Sequence, residues 1–232
     1  MKLQAAHVFV ILAFLTSAFS ARAEKADREK PTKVEANRMT SDEARRISIF
    51  EGNVVFTKGT ISVRAERIVV RQEPQPQMQR RHDPDYTIEQ FTLVDYSREG
   101  MPVSAVTAAK LLHFADDDST ELLAPRAVQT KPGQPRLTLS ADRGTLSQDG
   151  SEMLLYDNVV MLRDNSAGQT DSELRSNFLH VISARSLVRS DREVQITEPG
   201  RKLSARGMEY DNQAGLLTLY AQVRGVYGGK LK

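Results

Sequence analysis

The side chains that could do chemistry in this sequence are four histidines and a run of three aspartates. The run 116–118 could bind Ca²⁺ through its carboxylates, but it lacks the alternating oxygen ligands and the trailing glutamate of a calcium loop, and a polar hairpin tip is the simpler interpretation. His7 lies in the N-terminal apolar segment, His82 in a predicted linker, and His113 and His180 in predicted strands. None has a second ligand at a spacing typical of metal sites. The sequence therefore predicts no metal site.

Other catalytic motifs are also missing from the sequence. It contains no Cys, no glycine-rich phosphate loop and no GxSxG nucleophile turn. Carboxylates are plentiful, so a glycosidase pair stays open as an alternative, but a chain without Trp is poorly equipped to hold sugars. A formal net charge of +2 does not favour nucleic acid as a partner. We therefore expect no enzyme, no cofactor and no nucleic-acid partner.

Residues 1–23 are typical of a secretory signal peptide. A positive start, Met1-Lys2, precedes the apolar run "AAHVFVILAFLTSAF", and Ala21-Arg22-Ala23 places small residues at the two positions that a signal peptidase reads. The apolar run is shorter than the roughly 20 residues of a membrane-spanning helix. We expect cleavage before Glu24 and export of the remaining chain, with an uncleaved membrane anchor as the alternative.

Beyond the signal peptide, alternation of apolar and polar residues predicts an all-β fold. Strand signals run from Val34 to Val70 and resume at Tyr86, and turn signals interrupt them at short intervals. The intervening "RQEPQPQMQRRHDPD" is rich in Pro, Gln and Arg and is typical of a linker. We therefore divide the chain into the signal peptide 1–23, a hairpin segment 24–72, a linker 73–85 and a main β-domain 86–228.

One hairpin pattern recurs along the chain. It begins at Ala36, Ala141 and Ala205, and each copy has a short strand, a polar turn, an apolar strand and then a small or amide pair before a Val. A lone two-stranded hairpin cannot bury its apolar face, so copies of it are expected to stack on one another. Because the spacing between copies is uneven, we expect a rolled pair of facing sheets rather than a regular solenoid.

The apolar positions of these strands are the candidate binding residues. They would form either an ordinary sandwich core or the lining of an apolar channel, and alternation alone does not separate the two, because both place apolar side chains inward. The candidates for an apolar, lipid-holding groove are Val34, Ile47, Ile49, Val54, Phe56, Ile61, Val63, Val103, Leu111, Leu137, Leu139, Leu154, Tyr156, Val159, Met161, Leu217 and Leu219.

Two stretches of the sequence resemble lipopolysaccharide transport proteins. The segment "KPTKVEANRMTSDEARRISIFEGNVVFTKGTISVRAERIVVRQ", residues 30–72, resembles the start of the LptA (OstA) family. From about residue 83 to 228 the chain resembles the LptC family, through "YTIEQFTLVDYSREGMP", "ADRGTLSQDGSEMLLYDNVVML" and "ARGMEYDNQAGLLTLYAQVRGVY". The chain thus looks like an LptA-type beginning joined to an LptC-type body.

The resemblance implies a half-open β-jellyroll of two facing antiparallel sheets that carries the acyl chains of lipopolysaccharide. It implies a periplasmic protein, with association with the inner membrane left open. The implied partners are LptA-like bridge proteins, the LptF and LptG permease pair of an ATP-driven extractor, and further copies joined head to tail by β-strand addition. The main hypothesis is a lipopolysaccharide-carrying bridge between the membranes. The alternative is a periplasmic scaffold that links transport partners without holding lipid.

Overall fold

A computed structural model describes residues 33–71, 82–97, 99–130, 134–147, 150–165 and 167–228. The predicted signal peptide 1–23 and most of the predicted linker lie outside these residues. Among the described residues, no helix has the length and apolar character needed to cross a membrane.

The described chain is built almost entirely of strands, as the alternating sequence predicts, and a short 3-10 turn at Ser183–Arg185 interrupts them. The strands are β1 (Lys33–Glu35), β2 (Arg38–Asp42), β3 (Ile47–Lys58), β4 (Ile61–Arg71), β5 (Tyr86–Tyr96), β6 (Pro102–Phe114), β7 (Ser119–Leu123), β8 (Arg126–Gln129), β9 (Leu137–Ser140), β10 (Arg143–Leu146), β11 (Glu152–Asp164), β12 (Thr170–Ile182), β13 (Leu187–Glu198), β14 (Arg201–Asp211) and β15 (Leu216–Tyr227).

All strand pairs are antiparallel, and hydrogen bonding is continuous from β1 to β15. β4 pairs directly with β5, with Ile61 opposite Asp95 and Val70 opposite Tyr86. The strands on either side of the predicted linker are therefore neighbours in one hydrogen-bonded sheet. The division of the chain into segments 24–72, 73–85 and 86–228 stays a prediction.

The pairing of the short strands shows that the long strands run through two layers. β2 pairs with residues 47–51 of β3 and β1 with residues 55–57. In the same way β7 and β8 pair with different halves of β6, and β10 and β9 with different halves of β11. Layer 1 thus contains β2, β7, β10 and one half of each long strand. Layer 2 contains β1, β8, β9 and the other halves.

Several of the long strands change layer at β-bulges near their midpoints. In β3 the register shifts between Glu51 and Val54, where Gly52 and Asn53 have φ of 74° and 50°. β11 shifts at the equivalent place, where Asp157 and Asn158 have φ of 62° and 49°. A bulge bends its strand and increases the local twist. The repeated sequence pattern therefore corresponds to a repeated bend, and the two layers face each other across an apolar interior.

The interior is one hydrophobic cluster that takes residues from both layers. Ile88, Leu111 and Leu179 come from layer 1, and each is 0% exposed. Val54 and Leu174 come from layer 2 and are 0% and 1% exposed. Two facing antiparallel sheets with such a core make up the β-jellyroll that the sequence predicted, so the predicted fold class is confirmed.

Candidate functional site

A cavity of about 180 Å³ lies between the two layers near the middle of the molecule. Its apolar lining comes from Ile61, Phe91, Leu93, Val106, Ala127 and Leu139 of layer 2 and from Leu146, Met153 and Val181 of layer 1. Asp95, Ser104 and Gln129 line it at the strand ends of layer 2, opposite Ser151 and Ser183 of layer 1. The cavity is therefore apolar inside and polar along one border.

Most of the predicted groove residues face the interior. Val54, Phe56, Val63, Leu111, Leu137, Leu139, Val159 and Met161 are buried, each 5% exposed or less. Val34, Ile61, Leu217 and Leu219 are partly buried and pack against the same cluster. Of these residues, Ile61 and Leu139 line the cavity. Lipid contact by any of the predicted groove residues stays a prediction.

Five predicted groove residues are not brought together with the others: Ile47, Ile49, Val103, Leu154 and Tyr156. Leu154 lies opposite Thr145 and His180, whereas buried Leu155 lies opposite Gly144 and Leu179. Because successive side chains of a strand point to opposite faces, Leu154 and Tyr156 lie on the outer face of layer 1. There the Tyr156 and Phe178 rings pack with their centroids 5.4 Å apart.

The same alternation places Ile47 and Ile49 outside, because their neighbours Ser48 and Phe50 are 8% and 7% exposed. Val103 lies outside beside Ser104, which lines the cavity. The groove candidates chosen from the sequence are apolar positions of opposite parity before and after the mid-strand bulges. Two consecutive residues take positive φ in the β3 and β11 bulges, and the inward residues keep the same parity on both sides.

A buried histidine forms hydrogen bonds with two carboxylates at the strand ends of layer 1. His113 is 4% exposed, its Nδ1 lies 2.6 Å from Asp85 Oδ1, and its Nε2 lies 3.0 Å from Asp118 Oδ1. The ring stacks on Tyr86 with centroids 4.4 Å apart. Burial lowers the pKa of His113, but the hydrogen bonds and charges of Asp85 and Asp118 outweigh burial and raise that pKa above 6.5. His113 therefore fastens the start of β5 to the β6–β7 turn.

The family of the chain follows from a family model that matches residues 54–228 and is described as lipopolysaccharide-assembly, LptC-related. The chain belongs to the LptC-related family. The match begins at residue 54, so it includes part of the segment that resembles LptA. The LptC-related protein is thus a component of lipopolysaccharide transport. The resemblance and the general function predicted from the sequence are confirmed.

A solved structure also resembles this LptC-related protein, though only weakly. It is LptH, described as the LptA-homologous periplasmic component of the lipopolysaccharide transport device of Pseudomonas aeruginosa. Identity is 10%, with 88% of this chain and 99% of LptH covered, and the TM-score is 0.23. No curated protein matches the LptC-related chain. The family assignment therefore depends on the family model.

The sequence missed one group of potential metal ligands in this LptC-related protein. Ligand atoms of His82, Asp116 and Asp117 lie within 4.8 Å of one another. All three residues are exposed, and His82 Nδ1 lies 3.1 Å from both carboxylate oxygens of Asp116. The hydrogen bond with Asp116 raises the pKa of His82 above 6.5. Sequence spacing gave no sign of this group, because 34 residues separate His82 from Asp116. The absence of a metal site stays a prediction.

Proposed function

We propose that this protein holds acyl chains of lipopolysaccharide between its two layers while the sugar and phosphate parts stay in water. The cavity between the layers carries this proposal, because its walls are apolar and its border is polar. Keeping apolar surface from water is worth about 25 cal/mol per Å², so a lipid with several acyl chains needs a continuous dry surface to cross an aqueous compartment.

The cavity is smaller than a lipid with several acyl chains requires. Its volume is about 180 Å³, whereas pockets for drug-sized ligands span roughly 300–1,000 Å³. Loading therefore requires the two layers to move apart. The mid-strand bulges, such as those of β3 and β11, are suited to this movement, because bending of the main chain there separates the layers without breaking the strand pairs on either side.

We further propose that the two ends of the sheet bind the transport partners by strand addition. β15 is an edge strand, and Val226 and Tyr227 on it are 71% and 69% exposed. Exposed edges normally invite aggregation, whereas strand addition to a similar jellyroll would pair them and extend the apolar interior. The proposed partners are the LptF and LptG permease pair, LptA-like bridge proteins and further copies of this chain. Docking on the permease pair would place the protein at the inner membrane.

Photolabelling tests the proposed lipid binding. We would irradiate the purified protein with lipid A that carries a diazirine in an acyl chain and then map the adducts by mass spectrometry. Adducts are expected on the cavity residues Leu139, Val106 and Met153, and the outward-facing Leu154 provides a control in the same strand as Met153. Labelling of Leu154 as strong as that of Met153 would contradict the proposal.

A matched pair of variants separates lipid carriage from a scaffold role. Leu93 lines the cavity, and its neighbour Val94 is similarly half-buried on the other face. Leu93→Glu should abolish lipid A adducts and export, whereas Val94→Glu should leave both intact. If Leu93→Glu abolishes adducts and export continues, the scaffold alternative is correct. If neither variant changes adducts or export, lipid carriage in this cavity is wrong.

A further inference from the structure

Four polar side chains link the two layers at the border where the strand ends meet, which we call the seam. Gln134 precedes β9 and Arg163 is near the end of β11, both in layer 2. Tyr210 and Asn212 lie at the end of β14 in layer 1, where Tyr210 is opposite Val188. The four residues come from positions up to 78 apart in the sequence, so only the folded chain brings them together.

A side-chain hydrogen bond crosses the seam: Asn212 Nδ2 donates to Gln134 Oε1 at 3.3 Å. Within layer 1, the Tyr210 hydroxyl donates to Asn212 Oδ1 at 3.3 Å. Burial lowers the pKa of Arg163, but the neighbouring Asp171 and Tyr210 outweigh burial and raise that pKa. Tyr210 and Asn212 of layer 1 are therefore linked by hydrogen bonds to Gln134 of layer 2, with Arg163 of layer 2 close to Tyr210. We call these four residues the cross-seam chain.

The cross-seam chain is anchored on the layer 2 side. Arg163 Nε lies 3.1 Å from Asp171 Oδ1, and its second terminal nitrogen lies 3.7 Å from Glu198 Oε1. Both carboxylates belong to strands of layer 2, so Arg163 keeps charged partners even when the layers separate. The layer 1 side has no comparable charge pair among these four residues, and its contribution comes from neutral groups.

The burial of Asn212 and Tyr210 shows that they close the interior and are not surface side chains. Asn212 is 2% exposed and Tyr210 is 3% exposed, yet both carry polar atoms at the edge of an apolar core. A buried polar group destabilises a protein unless it is hydrogen-bonded. The cross-seam chain is therefore stable only while the layers touch. When they separate, water or the polar parts of a lipid can replace the lost partners.

The position of the cross-seam chain relates it to the route of the lipid. The cavity is lined by residues of β4 to β12 and of the 3-10 turn, whereas Tyr210 and Asn212 lie beyond them on the β15 side of layer 1. An acyl chain that moves along the interior from the cavity toward the β15 edge therefore passes beneath these contacts.

We propose that Arg163, Tyr210, Asn212 and Gln134 form a gate that holds the layers together between the cavity and the β15 edge and opens when lipid passes. The inference rests on the proposed function, because it takes an acyl chain as the passing group. It adds that the two ends of the interior are not equivalent. Lipid reaches the cavity without opening the gate but reaches the β15 edge only after the gate has opened.

A reversible chemical clamp tests the gate directly. The natural chain contains no Cys, so Gln134→Cys/Asn212→Cys can be joined across the seam by a short bis-maleimide with a reducible disulfide spacer. With diazirine-labelled lipid A, we would compare adducts on the cavity residue Leu139 with adducts on Ile196 and Leu219 toward the β15 edge. Clamping should leave Leu139 labelling unchanged and suppress labelling of Ile196 and Leu219, and reduction should restore it.

Two further variants complete the test: the first is a control cross-link within one layer, and the second weakens the gate. Thr138→Cys/Leu162→Cys joins directly opposed residues of β9 and β11 within layer 2 and should leave all labelling unchanged. Gln134→Ala removes one hydrogen bond of the gate and should raise labelling near β15 about fivefold, the population change expected from one net hydrogen bond. Its melting curve should stay close to that of the wild type, because Gln134 is only half-buried.

The outcomes separate this inference from the proposed function. If no residue is labelled in any variant, the proposed lipid binding is wrong and the gate has no substrate. If Leu139 is labelled and clamping leaves Ile196 and Leu219 equally labelled, the protein carries lipid without the gate. If clamping removes labelling at Leu139 as well, lipid enters through this part of the seam, and the proposed order of cavity and gate is overturned.

Discussion

At the scale of single residues, His113 makes the stability of the fold depend on pH. Asp85 and Asp118 raise its pKa above 6.5 in the folded protein despite burial, which acts in the opposite direction. A raised folded pKa means that the stabilisation is fully present below the unfolded pKa near 6.5 and is lost as pH rises through the folded pKa. The free energy of unfolding should therefore fall as the pH is raised from 6 to 8.5, measured by urea denaturation.

The control is His113→Gln, which should remove most of this dependence on pH between 6 and 8.5. His82 also has a raised pKa and contributes in the same direction, but it is exposed, so His82→Gln should have the smaller effect. If His113→Gln and wild type lost stability equally as pH rises, the contacts with Asp85 and Asp118 would not be the cause.

The first bulge makes a second prediction at this scale. Gly52 has φ of +74°, and a Cβ atom there would lie 3.1 Å from Asn37 Cβ and 2.8 Å from Asn37 Nδ2. Gly100 has φ of +78° with nothing within 4 Å. Positive φ alone costs a non-glycine residue roughly 1–2 kcal/mol, so Gly100→Ala should lose about that much stability and Gly52→Ala more. Equal losses in thermal denaturation would show that the contact with Asn37 relaxes freely.

The sequence identified the histidines and the run 116–118 as candidate residues but did not predict which side chains they contact. The run 116–118 was identified as a hairpin tip, and the structure places it in the β6–β7 turn. Its contacts with His82 and His113 depend on the pairing of β5 with β6, which brings Tyr86 opposite His113. No local spacing encodes that pairing, so the carboxylate–histidine pairs could not be derived from the sequence.

At the scale of strands, the faces of β11 give a direct test of the corrected orientation. Leu155 is 1% exposed and faces the interior, whereas Leu154 is half-buried on the outer face. Leu155→Ala should cost about 2–5 kcal/mol because it removes buried methyl groups and leaves a cavity. Leu154→Ala should cost about 1 kcal/mol or less. Chemical denaturation of both variants would check this, and a larger loss for Leu154→Ala would restore the original sequence assignment.

Alternation predicted the existence of the strands well and their orientation only in part. Val54, Phe56, Val159 and Met161 follow the bulges and were placed correctly in the interior. Before the bulges, adjacent apolar residues such as Leu154 and Leu155 make both faces apolar in sequence, so alternation gives no decision there. The dihedral angles of the bulge determine which face of the strand points inward. These angles depend on the paired strand as well as on Gly52 or Asp157.

At the scale of the whole molecule, the exposed apolar side chains of β15 predict a binding surface. Val223 and Val226 are 52% and 71% exposed on this edge strand. Val223→Lys/Val226→Lys should weaken binding of an LptA-like bridge protein roughly tenfold, as loss of an interface contact worth about 1.4 kcal/mol does. Stability should hardly change, because neither side chain is buried. Affinity would be measured by surface plasmon resonance.

The control for β15 is Met101→Lys, which changes an equally exposed side chain, 65% exposed, in the β5–β6 turn. It should leave the affinity unchanged. Equal weakening by both variants would indicate a general effect of positive charge, and binding unaffected by either would exclude β15 as the contact for this partner.

The architecture of the whole molecule was the most predictable feature, for two different reasons. Short-interval turn signals and a repeated hairpin required stacked sheets, since one hairpin cannot bury its own apolar face. The resemblance to LptA and LptC supplied the jellyroll. The cross-seam contacts of Asn212 and Gln134 lay beyond both kinds of reasoning, because the two polar residues sit in separate turns that only the bend of the long strands brings into contact.

The mid-strand bulges have a consequence for how this architecture can change in evolution. A single inserted or deleted residue normally turns an entire strand inside out, because it shifts all later side chains to the other face. In a strand that already contains an unpaired residue at its midpoint, such a change can be absorbed at the bulge, and the inward face beyond it is preserved. One layer can thus vary in length and register while the other keeps its packing, which lets related proteins of very different sequence retain the same interior.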